Sequence, residues 1–476
     1  MSTAPATSTP RRDPPAWRGW VLFVLALAAT FALGVLGASV FERRQEARQR
    51  LPVREIELAK ATDSAQWADN FPREYESYRR MLDSTTKTTY GGADPRDLLA
   101  ETPANVVLFA GYGFALDYLQ ARGHTHAVTD VAKSGRLNPK TPATCWTCKS
   151  PDVPRLMGEL GIKEFYAKKF SDFAAETMHP IGCYDCHEPN TMKLRITRPA
   201  LREALERQGR DLAAVSHQEM RSLVCAQCHV EYYFANPGAY LTFPWDRGQA
   251  CEQIEAYYDE AKFSDWEHAV SRAKMIKIQH PDYELYAAGI HAYRNVACAD
   301  CHMPYRTEGG VKYTNHHIQS PLLDVANSCA VCHRWGEEEI RRRVVGIQEK
   351  VHEARARSED ALAKAHFDIA AAMEAGATDD ELAAARKLVR GAQLRWDFVA
   401  AANGMGFHAP QECLRLTTAT VDLAGQGRVE CARILGRHGV TAAVRYPDFS
   451  DKQKAQALVK QFASPDRPKL LKKSGE

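Results

Sequence analysis

An excess of charge of one sign is missing from this chain: 62 Lys and Arg stand against 59 Asp and Glu, for a formal net charge of +3. Nothing in that balance gives the basic footprint of a nucleic-acid binder, so no nucleic acid is expected as a partner. A repeat of constant period is also missing, which excludes a solenoid. The chain is not short either. Its 476 residues with 45% hydrophobic content suffice for one large or two or three ordinary domains around a sizeable core.

Cysteine, by contrast, is plentiful. Ten of the thirteen cysteines form five CxxC pairs, Cys145/Cys148, Cys183/Cys186, Cys225/Cys228, Cys298/Cys301 and Cys329/Cys332. The last four pairs are each followed at once by a histidine, His187, His229, His302 and His333. A zinc site does not require a histidine directly after the second cysteine, and a disulfide framework belongs to short chains. A covalent haem c uses all three positions: two thioethers hold the porphyrin and the adjacent imidazole meets the iron. The first pair lacks its histidine, because Lys149 follows Cys148. Lysine binds iron only as the neutral amine, in a site that lowers its pKa. A haem so ligated, with its other face open, suits a small substrate better than electron relay; the blander reading is that Lys149 is no ligand. Cys251, Cys413 and Cys431 are left over, expected buried and reduced, although export would allow Cys413 and Cys431 to pair.

Residues 1–18 read as a tail. The uncharged run from Trp20 to Phe41 is about long enough to cross a bilayer. A signal anchor over 19–41 is expected, with a cleaved signal near Gly37-Ala38-Ser39 as the alternative. Either exports the remainder of the chain, which places the working domain on the periplasmic side of the cytoplasmic membrane. A charged connector over 42–62 leads into a pentahaem catalytic domain, 63–335, broken by Pro and Gly. There the haems form much of the core and strands are few. Over 336–462 the composition predicts long helices, with breaks such as "GATDD" at 376–380. Ile340, Val344, Ile347, Val351 and Ala354 recur as an apolar seam that fits either the protein's own haem core or a second subunit. Residues 463–476 read as a basic, frayed tail. The fold class is thus mainly α, a multihaem cytochrome c with long C-terminal helices. Thirteen histidines outside the motifs are ample for four bis-histidine haems and one with an open face, without identifying the ligands.

One CxxCK followed by four CxxCH, together with "RGHTHAVTD", "CWTCKSPDV", "CHVEYYF", "KIQHPDYE", "ACADCHMPY", "YTNHHIQSP" and "FHAPQE" over roughly residues 90–420, closely resembles the pentahaem cytochrome c nitrite reductases. The resemblance implies an ammonia-forming enzyme that reduces nitrite with six electrons and eight protons at a lysine-ligated haem fed by four others. It implies Lys149 as proximal ligand and Arg136, Tyr232 and His280 as pocket residues, with Arg136 and a protonated His280 holding the anion. It gives His124, His291, His316 and His408 as distal ligands of the third, fifth, second and fourth haems, His316 being chosen over the adjacent His317. A calcium ion is implied beside the catalytic haem on the Glu231 carboxylate, the Gln279 side chain and the carbonyls of Tyr232 and Lys277, a hard-cation oxygen set. A homodimer through 337–403 is implied as well. The electron donor is a membrane quinol-oxidising cytochrome or a soluble carrier. The alternatives are a pure electron-transfer cytochrome, or a reductase of hydroxylamine or sulfur oxyanions.

Overall fold

The computed structural model describes residues 15, 17–48, 53–465 and 467–471. The chain divides into two units, Met1–Val53 with Thr307–Tyr313 and Arg54–Arg306 with Thr314–Glu476. In the first, a helix runs over Trp17–Arg48, and the most apolar 18-residue stretch within Trp17–Gln45 has mean hydropathy 2.5 and holds no buried residue. It outlasts the expected 19–41 span because Glu42–Arg48 contains no Pro or Gly to stop it. Most of the expected tail, 1–14 and 16, lies outside the described residues.

The second unit is 54–306 and 314–476, and helix dominates throughout, at 54% of the chain against 6% strand. Strands occur, among the described residues, as four two-stranded ladders, such as Tyr233–Ala235 against Tyr240–Thr242. Three long helices, Glu337–Glu374, Asp379–Ala400 and Pro410–Arg437, pack against one another, and the first also packs against the short Ala104–Leu108 helix. The first break falls where expected. Gly376 takes φ +93°, and Thr378 caps the next helix, its hydroxyl accepting from the Glu381 N–H while the Glu381 carboxylate accepts from the Thr378 N–H. The interior of this bundle is Phe109, Trp266, Phe367 and Trp396. The expected seam packs on the protein's own body: Ile340 and Val344 meet Leu322 and Val325, and Val351 joins Phe398 and Leu416.

Two boundaries move. The connector already belongs to the fold at its end, because Ile56 and Ala61 are buried with Trp67. The expected basic tail is docked: Leu470 is buried in the bundle core, its N–H donates to Glu374 and its carbonyl accepts from the Arg445 N–H. Apolar Leu470 overrides the basic residues around it. Residues 466 and 472–476 lie outside the described residues.

Cys413 and Cys431 are free and buried in different clusters. Eighteen residues apart on one straight helix, they are separated by about 27 Å, too far for a bond. The pairing that export would have allowed is thereby overturned.

Candidate active site and haem-binding turns

Each CxxC sits on one tight turn of helix. Cys183–Cys186 and Cys298–His302 are short α-helices, Cys225 ends the His217–Ala226 helix, and Ala143–Trp146 and Cys329–Val331 are single 3-10 turns. Side chains three apart on such a turn share a face, so the two thiols of a pair point the same way. Two turns are fixed by the aspartate inside the motif: Asp185 accepts the Gly182 N–H and Asp300 the Ala297 N–H, both at 2.8 Å.

Cys332 departs from the other nine attachment cysteines. They are half-buried, whereas Cys332 is exposed, together with His333. The fifth site lies at the surface of the polypeptide. The cause is local, because the chain leaves Cys329 for solvent, with residues 331–338 all exposed, and returns to the interior only at Ile340. Polar Arg334, Glu337 and Glu338 favour that path, since ionised side chains stay in water.

The four motif histidines each face a second imidazole. Ring centres lie 6.2 Å apart for His124 and His229, 6.3 Å for His187 and His316, 6.3 Å for His291 and His333, and 6.2 Å for His302 and His408. Two metal–nitrogen bonds of about 2 Å, plus roughly 1 Å from each nitrogen to its ring centre, come to about 6 Å. These rings therefore fit an iron between them. Four are oriented through Nδ1: His187 to the Met192 carbonyl at 2.9 Å, His302 to Gln319 at 3.0 Å, His316 to Thr314 at 2.8 Å, and His229 to Asp282 at 3.3 Å. An imidazole held by Nδ1 presents Nε2. His316 stands opposite His187, whereas the Nε2 of the adjacent His317 is buried without a partner. Burial pulls His124, His187 and His302 down to about 4, which keeps them neutral as metal ligands must be. His229 is the exception. Burial lowers it too, but Asp282 more than compensates and the net shift is upward.

His408 reaches its place through a loop that only glycine allows. Gly406 holds φ +75°, and a Cβ there would lie 2.7 Å from Val351 Cγ1. The same loop is pinned by Asp282, which accepts the Asn403 N–H at 2.6 Å and its side-chain amide at 2.8 Å. Asp282 thus serves His229 and the approach to His408 together.

Lys149 follows its thiols on the Ala143–Trp146 turn, and the expected pocket residues gather near it. The Lys149 charge acts on Cys145 and His280, and Arg136 acts on Cys145 and Tyr112. The Arg136 guanidinium lies 4.1 Å from the Phe114 ring centre, with Nη1 3.4 Å from the Asp117 carbonyl. Tyr232 stacks on Phe234, and burial, then the charges of Cys148 and Cys145, drive its pKa well upward, so it keeps its proton. His280 is exposed to solvent, yet the body of the protein surrounds it deeply. That depth, and next the Lys149 ammonium, hold it at about 3. In the unliganded site the imidazole is therefore neutral, because its surroundings penalise a second positive charge.

Glu231 is fully buried, accepting from Tyr258 Oη at 2.6 Å and from the Gln279 N–H at 2.5 Å. The Gln279 amide lies 3.1 Å from the Lys277 carbonyl. Lys277 Nζ turns the other way, to both oxygens of Asp397 at 2.9 and 3.0 Å. Both partners of Glu231 are neutral donors, and burial raises its pKa well above the ordinary value. A buried carboxylate beside a backbone carbonyl and a side-chain amide supplies the oxygen donors that fit a calcium ion.

The family model for cytochrome c552 matches residues 63–471. The chain belongs to the cytochrome c552 family. As a c-type cytochrome it carries covalently attached haem c. Among similar members are the cytochromes c-552 of Bacteroides fragilis, 49% identical over 452 residues covering 93% of this chain and 92% of the relative, and of Porphyromonas gingivalis, 47% identical and covering 94% and 92%. A solved structure with TM-score 0.75 and 33% identity covers 78% of this chain and 86% of the other. It is the catalytic subunit of cytochrome c nitrite reductase from Desulfovibrio desulfuricans ATCC 27774, described with two calcium sites.

Sequence reasoning missed some of what holds this cytochrome c552 site. Asp282 stands 53 residues from His229, and Asp397 stands 120 from Lys277, with no motif joining either pair. A charged residue inside an otherwise apolar helical face was the one available signal for Asp397, between buried Trp396 and Phe398.

Proposed function

We propose that this protein is an ammonia-forming nitrite reductase with five haems, of which the one at Cys145/Cys148 is catalytic with Lys149 as its proximal ligand. The observation that carries the reading is the contrast between motifs. Four motif histidines face a second imidazole at 6.2–6.3 Å, whereas the lysine motif gathers Arg136, Tyr232 and His280. Overall, nitrite takes six electrons and eight protons and leaves as ammonium and two waters. When bound, the haem beside Lys149 supplies the iron that exchanges electrons with the substrate.

The protein's residues do the rest. Arg136 attracts the anion and Tyr232 Oη donates a hydrogen bond to its oxygens. His280 donates an N–H as the neutral imidazole. A neutral Lys149 amine would remove one of the four influences that lower His280, burial, Lys149, His229 and Lys277, and an arriving anion would raise it further, so His280 gains its proton as substrate enters. Calcium is assigned to Glu231, Gln279 and the carbonyls of Tyr232 and Lys277, where it keeps the pocket wall ordered and positive.

Electrons follow the turns. The Cys148 thiol interacts with Cys228, and Cys225 with Cys298, so the first, third and fourth attachment sites are neighbours. The Trp17–Gln45 helix anchors the protein at the periplasmic face, where a quinol-oxidising cytochrome or a soluble carrier delivers electrons. A homodimer uses the third long helix rather than 337–403: the first helix's seam is committed to the protein's own core, whereas exposed Val421 and Val429, with Gly425 between them, form an apolar stripe. Holoprotein given a reduced dye without oxygen should form ammonium from nitrite. Its absence, with five haems attached and Lys149 intact, would falsify the reading.

A further inference from the structure

Arg198 is 1% exposed and lies just ahead of the Pro199–Arg207 helix. Its guanidinium reaches back to the lysine motif from both sides. Nε donates to the Thr147 carbonyl at 2.8 Å and Nη2 to the Ser150 carbonyl at 2.9 Å, so the two bonds bracket Cys148 and Lys149. Nη2 also lies 2.6 Å from Asp185 Oδ1, an ion pair that balances the buried charge, and Nη1 donates to Thr197 Oγ1 at 2.6 Å. Asp185 is the inner residue of the second attachment turn. The Arg198 N–H donates at 3.0 Å to Gln227, the inner residue of the third turn, and Gln227 in turn donates to the Asp185 carbonyl at 3.3 Å. One buried side chain and its own backbone therefore tie three haem-attachment turns together.

We infer that Arg198 is the positioning residue for the lysine ligand: its fork on the Thr147 and Ser150 carbonyls fixes the turn that aims Lys149 at the catalytic iron. The physical need is plain. Lysine has a long flexible stem and one lone pair, so its turn has to be rigid for the amine to stay on the axial direction. A guanidinium spreads five donors over a plane and can hold two carbonyls and a carboxylate at once, whereas an ammonium is a point. Burying that cation is tolerated because Asp185 and three oxygen acceptors surround it. The Arg198 charge also acts on the thiols of Cys148, Cys186 and Cys228, placing it at the meeting point of the three turns.

The inference rests on the reading of Lys149 as an iron ligand, and its test separates the two. Holoproteins carrying Arg198→Lys and Arg198→Met are compared with the unaltered protein by the electron paramagnetic resonance of the lysine-ligated haem, and by kcat and KM for nitrite. Both variants should change that haem's signal and lower kcat by roughly tenfold to 100-fold with KM little moved, the expected cost of misplacing a reacting centre. If Arg198 only neutralises Asp185, lysine replaces it, and an Arg198→Lys protein with unaltered signal and kcat overturns the inference. Where a variant matures incompletely, peptide mapping decides: haem missing first from Cys145/Cys148 supports the inference, and haem missing only from other turns overturns it. Absence of ammonium from the unaltered protein would sink the nitrite reading alone, since the haem signal is read without turnover.

Discussion

Lys149 differs from its four counterparts by one side chain, and on the proposed reading that difference changes what the iron can do. An imidazole ligand is neutral at physiological pH, but an amine has to lose a proton first. Replacing Lys149 with histidine should leave five haems attached, because both thiols remain, while kcat for nitrite falls by about tenfold or more. Haem count by mass and ammonium yield check this together, and unchanged turnover would remove the lysine's claim to importance. At this scale the sequence was highly legible. Attachment needs adjacent residues, so CxxCH is contiguous, whereas "YTNHH" offers two adjacent imidazoles, and only the folded chain shows that His316 stands opposite His187. What the sequence hid were partners such as Asp282 and Arg198, whose contacts join segments tens of residues apart. The charge of His280 and the exposure of Cys332 were hidden for another reason. Both depend on depth and on neighbours, neither of which a local string contains.

Among the elements, the long helices carry two separable tasks. Inside the bundle, His366 stacks on His268 with ring centres 3.7 Å apart, and its Nδ1 and Nε2 are taken by Ser271 and Gln393 at 2.8 Å each. Burial holds His366 at about 4 against an ordinary 6.5. The unfolded chain therefore takes up a proton near pH 6.5 that the folded one refuses until about pH 4. Stability is complete above 6.5 and is lost as pH falls between those values. Going from pH 7 to 5 should cost about 2 kcal/mol through this residue, and urea midpoints should show a shallower acid slope in His366→Gln. Outside the bundle, Val429→Glu should weaken the dimer, and sedimentation should then show monomer at concentrations where the unaltered protein is paired. Helix positions were readable from composition, and "GATDD" marked the first break. The seam's destination was not readable, because a heptad pattern says that a face is buried without saying by what. Leu470 shows the converse, one apolar anchor outweighing a basic stretch that reads as frayed.

The whole molecule joins a bare apolar helix to a haem-bearing body, and the two have opposite solvent preferences. Full-length protein should sediment with membranes, resist salt washing and be released by detergent, whereas removal of residues 1–53 should leave it soluble. A soluble product whose N-terminus starts after Ser39 would show that the segment is cleaved. The meeting of attachment turns has one more effect, on the order in which the protein is made. In the finished fold Cys148 approaches Cys228 and Cys225 approaches Cys298. A chain that folded before receiving its haems would present those thiols to one another in an oxidising compartment and close the wrong bonds. Biogenesis is therefore constrained to attach first and collapse afterwards. Chain exported without the attachment machinery should accumulate Cys148–Cys228 or Cys225–Cys298 crosslinks, detectable by peptide mapping under non-reducing conditions, and later supply of haem should not rescue it.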